Sequence, residues 1–326
     1  MKLFYADHFV LPLPAGHRFP MEKYSRLRER LRHSDLFSGD DFIVPDAATD
    51  AEILRAHDAA YLERVARGAL DPAEQRRIGF PWSAQMVERS RRSAGATLAA
   101  CRHALAEGCA ANLAGGTHHA HRGFGSGFCV FNDAAIAALA MRAEGRVRKI
   151  AIIDCDVHQG DGTATILAGQ PDVFTLSLHG EKNFPFRKAT STLDIELADG
   201  TGDADYLAAL RDGLEQVFMT LQPDLAIYLA GADPYRDDRL GRLALSFDGL
   251  VARDELVLRH CAAHGTPVAV AMAGGYAREI DDTVAIHANT ITTAARLAPL
   301  LRSAATERRT SGSPGGQETH QRLPAA

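Results

Sequence analysis

The chain has 326 residues, 46% hydrophobic and 24% charged, with a formal net charge of −5. That is ample to bury a core and ordinary for a globular protein. It offers no basic excess for direct nucleic-acid binding and no apolar run of the roughly 18–20 residues that a membrane span needs. The opening MKLFYADHF has no charged segment followed by an apolar one, so no signal peptide is expected. Five cysteines (101, 109, 129, 155 and 261) fit neither a disulfide framework nor a zinc knuckle, which points to a reducing cytoplasm. Only five of the 36 basic residues are Lys, a bias that suits a bacterial genome rich in G and C.

In chain order, helical patterns cover about 83–107, 133–146, 204–221, 246–264 and 281–302, with Asn132-Asp133 as the N-cap of the second. Strand patterns cover Lys149–Asp154, Val173–Leu178, Asp224–Leu229 and Thr266–Met272. Each is short, apolar on both faces and rich in branched residues, as buried parallel strands are. The alternation predicts an α/β fold with a central, mainly parallel sheet flanked by helices. No linker divides residues 1–302, so one domain is expected. Residues 303–326 are rich in Ser, Gly, Pro and Thr and read as a disordered tail.

The segments just after the strands carry the chemistry. Asn112–Ala114 leads into Gly115-Gly116-Thr117-His118-His119, KIAIID into CDVHQGDG, DLAIYL into AGADP, and TPVAVAM into AGGY. Ligands of open α/β sheets bind outside the carboxyl ends of the strands, so four clusters point at one edge. In an extended segment Asp154, Asp156 and His158 share a face. Two acids and a histidine are costly to bury unpaired, and a divalent metal resolves that. The plain alternative is a loop whose carboxylates cap the next helix. Asp233 by itself is an ordinary loop aspartate. With Asp156 and His158 it completes a three-ligand set with an open position, suited to Zn²⁺ and also to Fe²⁺ or Co²⁺. Cys155 alternates to the other face and reads as core.

His118 and His119 are candidates for metal ligands or for acid/base groups. Each needs a partner for its distal nitrogen, and Asp154 and Asp161 are spare carboxylates close by. Tyr276, after Gly274-Gly275, is either a rim aromatic or a donor to a developing oxyanion. His57, His121 and His179 read as structural or surface residues. Ser177 and the strand-end backbone can hold a monovalent cation.

Together these clusters resemble the zinc-dependent histone deacetylase superfamily, with its arginase-like α/β fold. The segments are GGTHHAHRGFGSGFCVFND (115–133), IIDCDVHQGDGT (152–163), GADP (231–234) and GGY (274–276), over about 300 residues of chain. GHRFPMEKY (16–24) and DDRLGRLALS (237–246) look like the bacterial members close to class IV. The resemblance implies one Zn²⁺ per chain, held by Asp156, His158 and Asp233. It pairs His118 with Asp154 and His119 with Asp161, and makes Tyr276 the stabiliser of the oxyanion. Gly127, Phe128, Leu240, Gly274 and Gly275 line the acyl-lysine tunnel, with a second Phe from Phe184 or Phe186. Arg18 lines an internal acetate channel. Asp154, Ser177 and Leu178 match a structural K⁺ site.

Two departures bear on the substrate. The tunnel-rim aspartate of the eukaryotic enzymes has no clear counterpart, although Pro81-Trp82-Ser83 lies nearby. The insertion that narrows the entrance of acetylpolyamine-specific members is missing. The resemblance therefore implies a lysine deacetylase acting on proteins or peptides. Its rivals are an acetylpolyamine amidohydrolase, a long-chain lysine deacylase, an arginase-type binuclear manganese hydrolase and a non-catalytic acyl-lysine binder.

Overall fold

The computed structural model describes residues 1–14 and 16–311. Its eight strands are β1 Lys2–Phe4, β2 Phe42–Ile43, β3 Cys109–Asn112, β4 Ile150–Asp154, β5 Val173–Gly180, β6 Leu193–Leu197, β7 Leu225–Leu229 and β8 Val268–Ala271. The early helices are α1 Glu22–Arg32, α2 Asp50–Ile53, α3 Ala59–Arg67, α4 Pro72–Ile78 and α5 Ala84–Glu107. The later ones are α6 Asp133–Ala143, α7 Asp161–Leu167, α8 Asp203–Thr220, α9 Phe247–Ala263 and α10 Ile280–Ser311.

The sheet order is β2-β1-β3-β8-β7-β4-β5-β6, and every pairing is parallel. Residues of β3, β4, β5, β7 and β8 are buried throughout, which is why these strands read as unbroken apolar runs. One core lies on the face covered by α3, α5 and α6. A second lies on the face covered by α1, α8, α9 and α10. The chain leaves β3, crosses to β4 and later fills the gap with β7 and β8. Hence four neighbouring central strands, β3-β8-β7-β4, present their carboxyl ends side by side at a topological switch point.

Local chemistry sets the boundaries. Ser83, Asn132 and Ser246 cap α5, α6 and α9 by accepting from backbone N–H groups of Met86, Ala135 and Gly249. Strand β8 starts after Pro267, which has no N–H to give. Helix α6 stops at Ala143, three residues before the predicted end, with Gly145 in the left-handed region at φ 66°. Helix α10 runs nine residues past the predicted boundary at 302 and takes in the start of the expected tail. Leu301 and Ala305 are buried, and Arg308 donates to Pro223 O at 2.7 Å and Thr266 Oγ1 at 3.1 Å. The rest of that tail, 312–326, lies outside the described residues.

Candidate metal centre

Asp154 ends β4, and the chain leaves the sheet at once, so Asp156 and His158 stand in the loop above it. Asp156, His158 and Asp233 are all buried, and their ligand atoms lie within 4.8 Å of one another. His158 Nδ1 lies 2.9 Å from Asp156 Oδ1 and 3.3 Å from Asp233 Oδ2. The backbone fixes the outer oxygens. Val157 N donates to Asp233 Oδ1 at 2.9 Å, and Gly274 N donates to Asp156 Oδ2 at 2.7 Å. Asp233 Oδ2 is buried without a hydrogen-bond partner. A carboxylate oxygen orphaned beside a second carboxylate and an imidazole fits a divalent cation.

The electrostatics agree. Burial and then the Asp156 charge push the Asp233 carboxyl up to about 7. Burial disfavours charge on His158, but Asp156 and Asp233 outweigh it and push the imidazole up to about 10. A cation among the three relieves the repulsion between the carboxylates. Cys155 faces away into the core on the α8/α9 side, as the alternation predicts. Gly274 has to be glycine, because a Cβ there would collide with Asp233 Oδ2 and lie 2.6 Å from Asp156 Oδ2.

His118 and His119 follow β3 in a loop anchored by Asp133, which accepts from Gly116 N at 3.0 Å and Thr117 N at 2.7 Å. Asn132 Nδ2 donates to the carbonyls of His118 and Ala120 at 3.3 and 3.1 Å. His118 Nδ1 donates to Asp154 Oδ2 and His119 Nδ1 to Asp161 Oδ1, each at 2.7 Å. Both dyads of the expected pairing are therefore present. Asp161 takes a further donor, Nε2 of His121 at 3.1 Å, so His121 belongs to the site and is not the detached structural residue expected from its sequence context. The two dyads differ in charge. Burial lowers His118, but Asp154 and Asp156 outweigh it and push its imidazole up to about 9. Burial and the neighbouring His118 bring His119 down to about 4, against the pull of Asp161.

Tyr276 is buried beside the triad, and burial holds its hydroxyl proton far above the ordinary tyrosine range. Its N–H donates to Asp238 Oδ2 at 2.6 Å. Asp238 Oδ1 accepts from Leu240 N and Gly241 N at 2.8 and 2.9 Å. One carboxylate thus joins the tyrosine loop to the Leu240 wall. Asp238 stands within the DDRLG segment, but nothing local marks it as a link.

A cavity of about 720 Å³ opens over the triad. Gly127, Phe128, Phe184, Leu240, Gly274 and Tyr276 line it, as expected. A Cβ on Gly127 would lie 2.6 Å from His119 Cδ2, so this wall fits only glycine. Phe184 packs edge-on to His119 with ring centroids 4.9 Å apart, while Phe186 is 87% exposed at the mouth. Phe184 is therefore the inner wall of the pair. Gly275 is half of the GGY turn and does not line the cavity.

Arg18, expected on an internal channel, is not brought to the cavity and is not buried. The inner end instead carries Lys23 and Arg89, both buried. Helix α1 turns Lys23 inward, whereas Arg18 precedes the helix. Trp82 is structural: its Nε1 donates to Val65 O at 2.7 Å, and its ring covers Gly68. Asp154 and Ser177 sit opposite each other on β4 and β5, and Leu178 is buried next to them. No helix among the described residues is long and apolar enough to cross a membrane.

Comparison with known proteins agrees with this geometry. The family model for the histone deacetylase domain matches residues 17–291. An uncharacterized protein of Picosynechococcus is 44% identical over 283 residues, 87% of this chain and 94% of that one. A histone deacetylase-like amidohydrolase of Pseudomonas aeruginosa is 31% identical, with 81% of this chain and 74% of that one covered. A solved HDAC homologue complexed with SAHA superposes with a TM-score of 0.76 at 26% identity, over 95% of this chain and 88% of that one. With its α/β sheet, its Asp-His-Asp triad and its two His–Asp dyads in place, this chain belongs to the histone deacetylase family.

Proposed function

We propose that the chain is a zinc-dependent amidohydrolase that removes acyl groups, acetyl foremost, from lysine side chains of proteins or peptides. The observation that carries this reading is the buried Asp156-His158-Asp233 triad beside two His–Asp dyads and Tyr276, at the bottom of an apolar tunnel. The triad would hold the zinc, which when bound supplies Lewis-acid polarisation of an amide carbonyl and makes an attacking water more acidic.

The other steps belong to the chain. Phe128, Phe184 and Leu240 wrap the lysine methylenes, and each CH₂ buried contributes about 0.8 kcal/mol. His119 donates its Nδ1–H to Asp161, which leaves Nε2 free to take a proton from water. Its depressed imidazole is neutral at pH 7, as a base must be. His119 then returns that proton to the departing lysine amine. His118, tied to Asp154, supports the developing charge electrostatically. Tyr276 keeps its proton and donates it in a hydrogen bond to the tetrahedral oxyanion. Asp154, Ser177 and Leu178 are where a potassium ion would sit.

The mouth bears on the polyamine alternative. Lys182 and Arg239 line it, and these cations oppose a polycationic substrate, while Arg242 beside them is paired with Asp199 at 3.1 Å. Zinc-loaded protein is to be assayed on acetyl-lysine peptide, longer acyl-lysine peptides and acetylated polyamines, with Asp156→Ala as control. Peptide cleavage that is lost in the control supports the reading. Faster cleavage of polyamines overturns the substrate, and bound zinc with no turnover overturns the enzyme.

A further inference from the structure

Lys23 and Arg89 are 2% and 7% exposed, and both line the inner end of the cavity. Lys and Arg are almost never buried so deeply unless paired. Among the described residues neither forms an ion pair with a carboxylate. Lys23 Nζ donates weakly to the carbonyls of Ala273 and Gly275, at 3.5 and 3.3 Å. It lies 5.2 Å from the ring centroids of both Tyr24 and Tyr276. The Arg89 guanidinium lies 4.4 Å from the same Tyr24 ring. Two buried cations thus share one aromatic ring, and the described residues supply no counter-charge. Desolvation and mutual repulsion both oppose this arrangement, and a bound anion reverses both.

We propose that this chamber receives the far end of an acyl chain that itself ends in a carboxylate, so that the enzyme removes dicarboxylic acyl groups of the succinyl or glutaryl type from lysine. The proposal rests on the deacylase reading above. Lys23 approaches the ring of Tyr276, whose hydroxyl serves the reacting carbonyl in that reading. In a succinyl group three C–C bonds separate the amide carbonyl carbon from the terminal carboxylate carbon, a reach of roughly 4 Å. That is of the same order as the 5.2 Å between the Lys23 ammonium and the centroid of the Tyr276 ring. Phe19 and Phe80 form the apolar wall for the intervening methylenes, with ring centroids 4.9 Å apart. Hydrolysis breaks the amide C–N bond. Water gives its oxygen to the acyl carbon and a proton to the amine, so the products are a dicarboxylate and free lysine.

Any acyl-lysine yields an acid as product, so the test has to separate recognition of the substrate from exit of the product. One peptide is made as its succinyl-lysine, pentanoyl-lysine and acetyl-lysine forms. The zinc-loaded full chain is assayed on all three, alongside Lys23→Met, Lys23→Arg and Arg89→Gln. The proposal expects kcat/KM at least tenfold higher for succinyl than for the neutral pentanoyl chain. It expects that ratio to fall at least tenfold in Lys23→Met and in Arg89→Gln, and to recover in Lys23→Arg. A ratio between substrates is insensitive to the fraction of a variant that is folded. A wild type that prefers the neutral chain overturns the proposal. So does a ratio that the variants leave unchanged, even if free succinate inhibits, because the chamber would then be an exit only. Failure to cleave any acyl-lysine overturns the deacylase reading itself.

Discussion

Two dyads of the same composition stand next to each other and differ in charge. The rings of His118 and His119 are 4.2 Å apart, and each donates its Nδ1–H to an aspartate at 2.7 Å. His118 is nevertheless pushed up to about 9 and His119 down to about 4. Burial opposes charge on both. The difference lies in the neighbours: His118 has Asp156 3.7 Å from Nε2, whereas His119 has His118 itself and shares Asp161 with His121. Two histidines pushed apart in this way are suited to two roles, one a standing charge and the other a base. A cation bound at Asp156 reduces the pull of that carboxylate on His118, so loading the metal narrows the gap from one side.

The contrast between the dyads is lost most completely through Asp156. Asp156→Ala removes a proposed metal ligand and also the second carboxylate that raises His118. Zinc content should fall to background and turnover with it; retained zinc with retained turnover would remove the triad from the account. Tyr276→Phe leaves both dyads untouched, so it isolates oxyanion stabilisation. It should lower kcat roughly a hundred- to a thousandfold with substrate binding preserved. A variant that keeps most of its kcat would leave Tyr276 a rim aromatic.

Gly127→Ala narrows the question by pressing first on His119 and second on Phe184, whose Cε1 would lie 3.3 Å from the new Cβ. Its Cβ would lie 2.6 Å from His119 Cδ2, and no atom of His118 is among its nearest neighbours. Displacing His119, the proposed base, by about 1 Å should cost about a hundredfold in kcat, with zinc content unchanged. His57 gives the smallest effect and the reference state, a buried histidine without a carboxylate partner. Burial lowers it to about 4, and its Nε2 accepts from Asn132 N at 2.9 Å. The folded value lies below the unfolded one. Its stabilisation is therefore complete above pH 6.5 and is lost as pH falls from 6.5 through about 4. That window is worth about 3 kcal/mol, and denaturant midpoints for the wild type and His57→Gln across it should show a shallower slope in the variant.

Legibility followed the range of the interactions. The convergence of Asp156, His158, Asp233, His118, His119 and Tyr276 was legible because each follows an apolar strand, and parallel strands bring their carboxyl ends together. The long helices and the buried strands were legible for the same reason, since their periodicity is local. Strands β1 and β2, of three and two residues, are too short to show a pattern. Lys23 is silent in the sequence because its acceptors lie about 250 residues away in the chain, at Ala273 and Gly275. Arg18, nearer the motif, took its place. Asp238 and His121 are silent likewise: one bonds to Tyr276 N and the other to Asp161, and no spacing announces either contact. The choice between Phe184 and Phe186 needed the loop itself, which Lys188 Nζ ties down by donating to the carbonyls of Glu181, Asn183 and Pro185.

The most direct measurement is kcat/KM on one acetyl-lysine peptide for His118→Ala and His119→Ala, each zinc-loaded with its zinc content determined. The account predicts that both variants hold zinc, that His119→Ala loses roughly 10²- to 10⁴-fold as the general base, and that His118→Ala loses clearly less. Equal losses, or the larger loss at His118, would contradict the division of roles between the two dyads.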